Sequence, residues 1–118
     1  FGSFWYNSTG NNNYDMQIIP ESGKRILCIS GTADNLIPYN GGIGVMGYNF
    51  LSAQNSAFVL AQNMGFQGDQ LEDNQGVEYS NNIFKYSYLD GDVVHYKFIG
   101  AGHNIPNISQ PIIDFLTN

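Results

Sequence analysis

The run Ile26-Leu27-Cys28-Ile29-Ser30 constrains this chain more than any other feature. It is continuously apolar rather than alternating, it follows Ser22-Gly23-Lys24, and it stops at Gly31. Its length and flanks predict a strand buried on both faces, as in a parallel sheet. Gly31 to Asn49, rich in Gly, Asn and Pro, reads as an ordered loop of the kind that carries function. A helix follows: Phe50, Ala53, Ala57, Leu60, Ala61 and Met64 recur at helical spacing, Ser52 caps the start and Gly65 ends it. Gly68 to Ser80 is polar and acidic, hence a loop. Ile83–Leu89 and Val93–Ile99 then alternate on either side of Asp90-Gly91-Asp92, a hairpin signal. In the second strand Val94, Tyr96 and Phe98 share one face and His95 and Lys97 the other. Ser109 caps a terminal helix with Pro111 in its first turn, and Ile112, Ile113, Phe115 and Leu116 form its buried stripe. The order of elements is an α/β pattern.

With 118 residues the chain is long enough for one domain and too short for two, so residues 1–118 are read as a single domain. A hydrophobic fraction of 42% supports a real core. Four Lys and Arg against a net charge of −6 exclude a large nucleic-acid footprint and electrostatic attachment to anionic lipid. No apolar run approaches the ~20 residues that span a bilayer, and residues 1–15, aromatic and then polar, lack the regions of a signal peptide. The lone Cys28 lies in the apolar run and reads as a buried, inert thiol. The sequons at Asn7 and Asn107 carry little information in an Asn-rich chain.

Two residues of catalytic type stand out. Asp34 lies just past the first strand in Gly31-Thr32-Ala33-Asp34, and His103 just past the last in Gly100-Ala101-Gly102-His103. Functional groups gather at the carboxyl ends of strands in open α/β sheets. If the two strands are parallel, the loops share an edge and the side chains meet. The carboxylate would then accept the imidazole Nδ1–H and leave Nε2 as a general base. On spacing alone, the competing reading is a turn-forming Asp and an exposed His.

The wider context favours the pair. Ile26-Leu27-Cys28-Ile29-Ser30-Gly31-Thr32-Ala33-Asp34-Asn35-Leu36-Ile37-Pro38-Tyr39-Asn40-Gly41-Gly42 resembles the acid loop of α/β-hydrolases, specifically the polyhydroxybutyrate depolymerase and feruloyl esterase branch. Val94 to Pro106, with Gly100-Ala101-Gly102-His103-Asn104-Ile105-Pro106, is similar to that branch's histidine loop. The resemblance runs from Lys24 onward. It implies the C-terminal part of an α/β-hydrolase fold: a short, mostly parallel sheet with flanking helices. It also implies carboxylic ester hydrolysis by a Ser-His-Asp triad, no cofactor, and a secreted or periplasmic setting. The triad's serine belongs on a Gly-x-Ser-x-Gly elbow. No such pentapeptide occurs here; Ser3 has no strand before it and Ser30 reads as a strand-end residue. The resemblance thus places the nucleophile, the early strands and most of the oxyanion hole outside this sequence. An inactive remnant serving as a binding or assembly module, and one chain of a split hydrolase, remain alternatives. Either way a sheet lacking its neighbours should pair with itself or with a chain carrying the N-terminal half.

Other motifs weigh less. Gly42-Ile43-Gly44-Val45-Met46-Gly47 matches a dinucleotide fingerprint, but lacks the strand directly before it and the helix directly after. Asp69, Glu72 and Asp73 do not have EF-hand spacing and read as a solvated acidic loop. His95 and His103 are too few for a zinc site. Tyr79, Tyr86, Tyr88 and Tyr96 with Trp5 could stack on a ligand, although aromatics on alternating strands are more often packing.

Overall fold

A computed structural model describes residues 5–6, 23–45 and 47–118. Its core is a four-stranded sheet in the order β2 (Ile26–Gly31), β7 (Val93–Phe98), β6 (Ile83–Tyr88), β5 (Val77–Ser80). A second, small antiparallel sheet joins β1 (Trp5–Tyr6), β4 (Asn49–Phe50) and β3 (Gly42–Ile43). The helices are α1 (Ala53–Asn63) and α2 (Ser109–Thr117).

The α/β pattern stands, but the main sheet is mixed rather than mostly parallel. Only β2 and β7 run parallel; β6 and β5 are joined antiparallel through hairpins. The 83–99 hairpin forms where alternation and Asp90-Gly91-Asp92 place it. Leu89, Asp90 and Gly91 all take positive φ, as a tight reversal of right-twisted strands requires. The acidic stretch expected to be entirely loop ends in β5. That strand is short, mostly exposed and bulged, so it shows no buried alternation to read.

β7 is the centre of the fold, with all its residues but Lys97 buried. Val94, Tyr96 and Phe98 pack on Phe115 of α2 from one side. On the other face, Val93 and Tyr88 pack on Ala61 of α1. Ala53, Ala57 and Ala61, four residues apart, are all buried and let the helix approach the sheet closely. Both ends of α1 are closed as the sequence implies. The Ser52 hydroxyl accepts the Asn55 N–H at 3.0 Å. Beyond the last turn, Gly65 at φ +107° lets Gly65 donate to the Gln62 carbonyl and Phe66 to that of Ala61, a Schellman closure.

Three expectations are corrected. Phe50 lies in β4, ahead of the helix. Ile108, not Ser109, occupies the N-cap of α2, and no side chain caps it. Of the expected α2 stripe, Phe115 is buried and Ile112 half-buried, while Ile113 and Leu116 are exposed. Cys28 is buried as expected, and burial raises its thiol to about 11. Ser3, Asn7 and the side chain of Trp5 lie outside the described residues.

Candidate active site

The parallel β2–β7 pair runs in register from Ile26 opposite Val93 to Gly31 opposite Phe98. Both strands therefore end at the same edge, and the two loops leave together. They are stitched by backbone: Thr32 donates to the Phe98 carbonyl at 3.0 Å and Ala33 to that of Ala101 at 2.9 Å. The Gly100 N–H meets the Thr32 hydroxyl at 2.7 Å. Gly31 is needed for this approach, because a β-carbon there would lie 2.2 Å from the Ala101 carbonyl oxygen.

On this frame Asp34 and His103 come together, with Oδ2 and Nδ1 3.0 Å apart. The other carboxylate oxygen of Asp34 accepts the N–H groups of Leu36 at 2.8 Å and Ile37 at 2.9 Å. All this fixes the carboxylate's orientation. Burial alone would raise the Asp34 pKa. The bonds from Ile37, His103 and Leu36 outweigh it and hold the pKa below the usual carboxylate value. The Asp34 side chain is 11% exposed and that of His103 45%, so the carboxylate is covered and the imidazole open. Because an ionised Asp34 accepts from Nδ1–H, the second nitrogen, Nε2, is the one free for proton transfer.

Beside the pair lies a cleft of about 470 Å³. Leu27, Ile29, Ile37, Ile105, Ile108 and Ile112 make its walls apolar, and Ser30, Asp34, Tyr39 and His103 supply the polar groups. Ser30 is a residue of β2, as expected, and faces this cleft without a Gly-x-Ser-x-Gly setting.

Two residues escaped recognition as part of the site. Tyr39, in the acid loop, is buried, and its hydroxyl lies 3.0 Å from His95 Nε2 and 3.1 Å from Gln54 Nε2. His95, expected on the strand face it shares with Lys97 and set aside as a zinc ligand, is wholly buried against the rings of Tyr39 and Tyr86. Burial lowers its pKa from 6.5 to about 4. The Cys28 backbone opposes this and Lys97 adds to it. Nδ1 of His95 has no partner in hydrogen-bonding geometry, the Cys28 backbone lying near without completing a bond. A polar residue at an inward position of the central strand was the signal available in the sequence.

The remaining candidates settle as structure. Of the 42–47 glycine motif, Gly42 and Ile43 form β3, Gly47 donates to the Gly44 carbonyl at 3.0 Å and Met46 lies outside the described residues; the next helix starts only at Ala53. Asp73 is exposed but held by Lys97 at 2.6 Å and Gln54 at 2.8 Å. Among the described residues, no group of three His, Cys, Asp or Glu could hold a metal ion. Tyr86, Tyr88 and Tyr96 are buried and Tyr79 packs edge-on against Tyr96, so they form no open platform. No helix among the described residues is long and apolar enough to cross a membrane.

No family model, curated protein or solved structure matches this chain. What the pair can do is therefore decided by its own geometry.

Proposed function

We propose that the chain supplies the acid and the histidine of a Ser-His-Asp triad for carboxylic ester hydrolysis, as a C-terminal segment of an α/β-hydrolase of the depolymerase and esterase type. The nucleophilic serine would come from polypeptide outside this sequence. One observation carries the reading: the Asp34–His103 bond of 3.0 Å, formed by two loops leaving the same edge of two parallel strands and opening on an apolar cleft. In that role His103 takes the serine proton through Nε2 and returns it to the leaving alkoxide. Asp34 holds the tautomer and stabilises the imidazolium without itself taking the proton. The cleft favours an uncharged acyl group, since a charged one would lose its hydration against isoleucine and leucine.

The test is hydrolysis of short-chain nitrophenyl esters. It is measured for this chain alone and for the chain joined to, or co-expressed with, the segment encoded upstream of Phe1. The expected result is no turnover by the chain alone and turnover by the combination. That turnover should fall about 10⁴-fold in Asp34→Asn and about 10⁶-fold in His103→Ala. Turnover by the chain alone, with a serine-directed phosphonate adduct mapped to one of its own serines, would overturn the assignment of the nucleophile. Full activity of the combination in both variants would overturn the triad.

A further inference from the structure

The hydrogen bond from Tyr39 to His95 joins the acid loop to the middle of the sheet. Asp34 is held at one end of its loop by the N–H groups of Leu36 and Ile37. The loop's other end is Tyr39, whose carbonyl accepts the N–H of Ala53 at 2.9 Å at the start of α1. Its hydroxyl is fixed by His95 and Gln54. His95 lies opposite Cys28 of β2 on one side and Tyr86 of β6 on the other, so its ring is held by the sheet itself. Tyr39 also lines the cleft that contains Asp34 and His103.

Packing alone does not account for a histidine here. Gln54 donates to the Tyr39 oxygen, so the hydroxyl proton points to Nε2 of His95 and the ring proton sits on Nδ1. That Nδ1 is buried, with the Cys28 backbone near it but no bond completed. A phenylalanine would fill similar space against the same two rings, but it would leave the buried Tyr39 hydroxyl without its acceptor. What it would not do is hold Tyr39.

We propose that His95 is a positioning residue, which through the Tyr39 hydroxyl holds the acid loop so that the Asp34 carboxylate meets His103. His95 touches neither substrate nor the reacting atoms. This rests on the reading of Asp34 and His103 as a functional pair, and the experiment separates the two claims.

The readout is the tautomer of His103, followed through its ring nitrogens by long-range ¹⁵N–¹H correlation at pH 8.5, about two units above the ordinary histidine value. In the wild-type chain the Nδ1–H form dominates, and in Asp34→Asn, whose amide no longer requires Nδ1–H, the preference is lost. Tyr39→Phe and His95→Phe should each lower the ratio of Nδ1–H to Nε2–H about fivefold or more, the worth of one net hydrogen bond. Both variants should do so while keeping a cooperative urea transition, since a merely structural loss of stability would not move the tautomer of one exposed histidine. Tyr79→Phe, which loses a hydroxyl bonded to Asp114 on α2, should leave the ratio unchanged. If Asp34→Asn abolishes the preference but Tyr39→Phe and His95→Phe retain it, the proposal is wrong and the pair stands. If Asp34→Asn changes nothing, the pair and the proposal both fall. Should His95→Phe fail to fold, Tyr39→Phe, which keeps the ring and its packing, decides the question.

Discussion

A methyl group added at position 31 would separate the two loops that meet in the candidate site. The β-carbon of Gly31→Ala would lie 2.2 Å from the Ala101 carbonyl oxygen and 2.8 Å from that of Gly102, and both are backbone that cannot swing aside. The variant should lose about 2–4 kcal/mol by urea denaturation, and its His103 should lose the Asp34 bond. Wild-type stability would show that the loops do not approach this closely. His95 makes a different prediction, on pH. Its pKa is lowered on folding from 6.5 to about 4, so the unfolded chain binds a proton that the folded one resists. Stability is full above pH 6.5 and should fall by ~3 kcal/mol as the pH drops to about 4. The lowered Asp34 pKa acts in the same direction, but only below the ordinary carboxylate value of 3.8. Denaturation midpoints at pH 7 and 4.5 therefore isolate the histidine, and His95→Phe should flatten that interval. An equally steep loss in the variant would assign the effect elsewhere. Asp34 and His103 were legible in the sequence because each follows an apolar strand by a few residues, although β2, at the sheet's edge and lining the cleft, is half-buried rather than buried on both faces as expected. Tyr39 and His95 were not, because the bond between them spans 56 residues and only the fold brings them together.

At the scale of elements, α1 was the most readable. Its alanine stripe, Ser52 cap and Gly65 closure are local, and each survives in the structure. Ser52→Ala should cost about 1 kcal/mol by removing the acceptor of the Asn55 N–H. Gly65→Ala should cost about the same, because φ +107° is strained for any β-carbon although nothing crowds it. Thermal unfolding of the two single variants and the double checks both values. Their sum should be additive, since the caps sit at opposite ends of the helix. The β6–β7 hairpin was equally legible, through alternation and turn chemistry that act within a few residues. The sheet's direction was not. A continuously apolar strand implies a parallel neighbour for itself, and β2 has one in β7, but it says nothing of how β6 and β5 are added beyond. The α2 stripe misled for a related reason: helical spacing places Ile113 and Leu116 beside the buried positions, and only the position of the sheet decides which residues are covered.

For the whole molecule, the apolar side chains left on the surface set how the chain should behave in solution. Ile43 is 75% exposed and Val45 67%, both at the small sheet beside the acid loop; Leu116 of α2 is 70% exposed. Leu36 and Ile113 are about half exposed. Full burial of such a side chain contributes about 1.5–3 kcal/mol, so five partly exposed ones covered together contribute on the order of 5–10 kcal/mol. Bringing two molecules together costs about 4–15 kcal/mol. In a two-fold pair both copies cover these side chains, so the gain doubles to about 10–20 kcal/mol and leaves a surplus of roughly 4–8 kcal/mol, which argues for reversible association at micromolar to millimolar concentration rather than a permanent dimer, unless a partner covers further surface. Sedimentation velocity from about 1 to 100 μM should show the average mass rising above 13.1 kDa with concentration. Ile43→Asp combined with Val45→Asp should return the chain to a monomer without lowering its denaturation midpoint, because neither side chain belongs to the core. A wild-type monomer at every concentration would mean that these residues are simply wet, and that no second molecule is drawn to the face beside the acid loop.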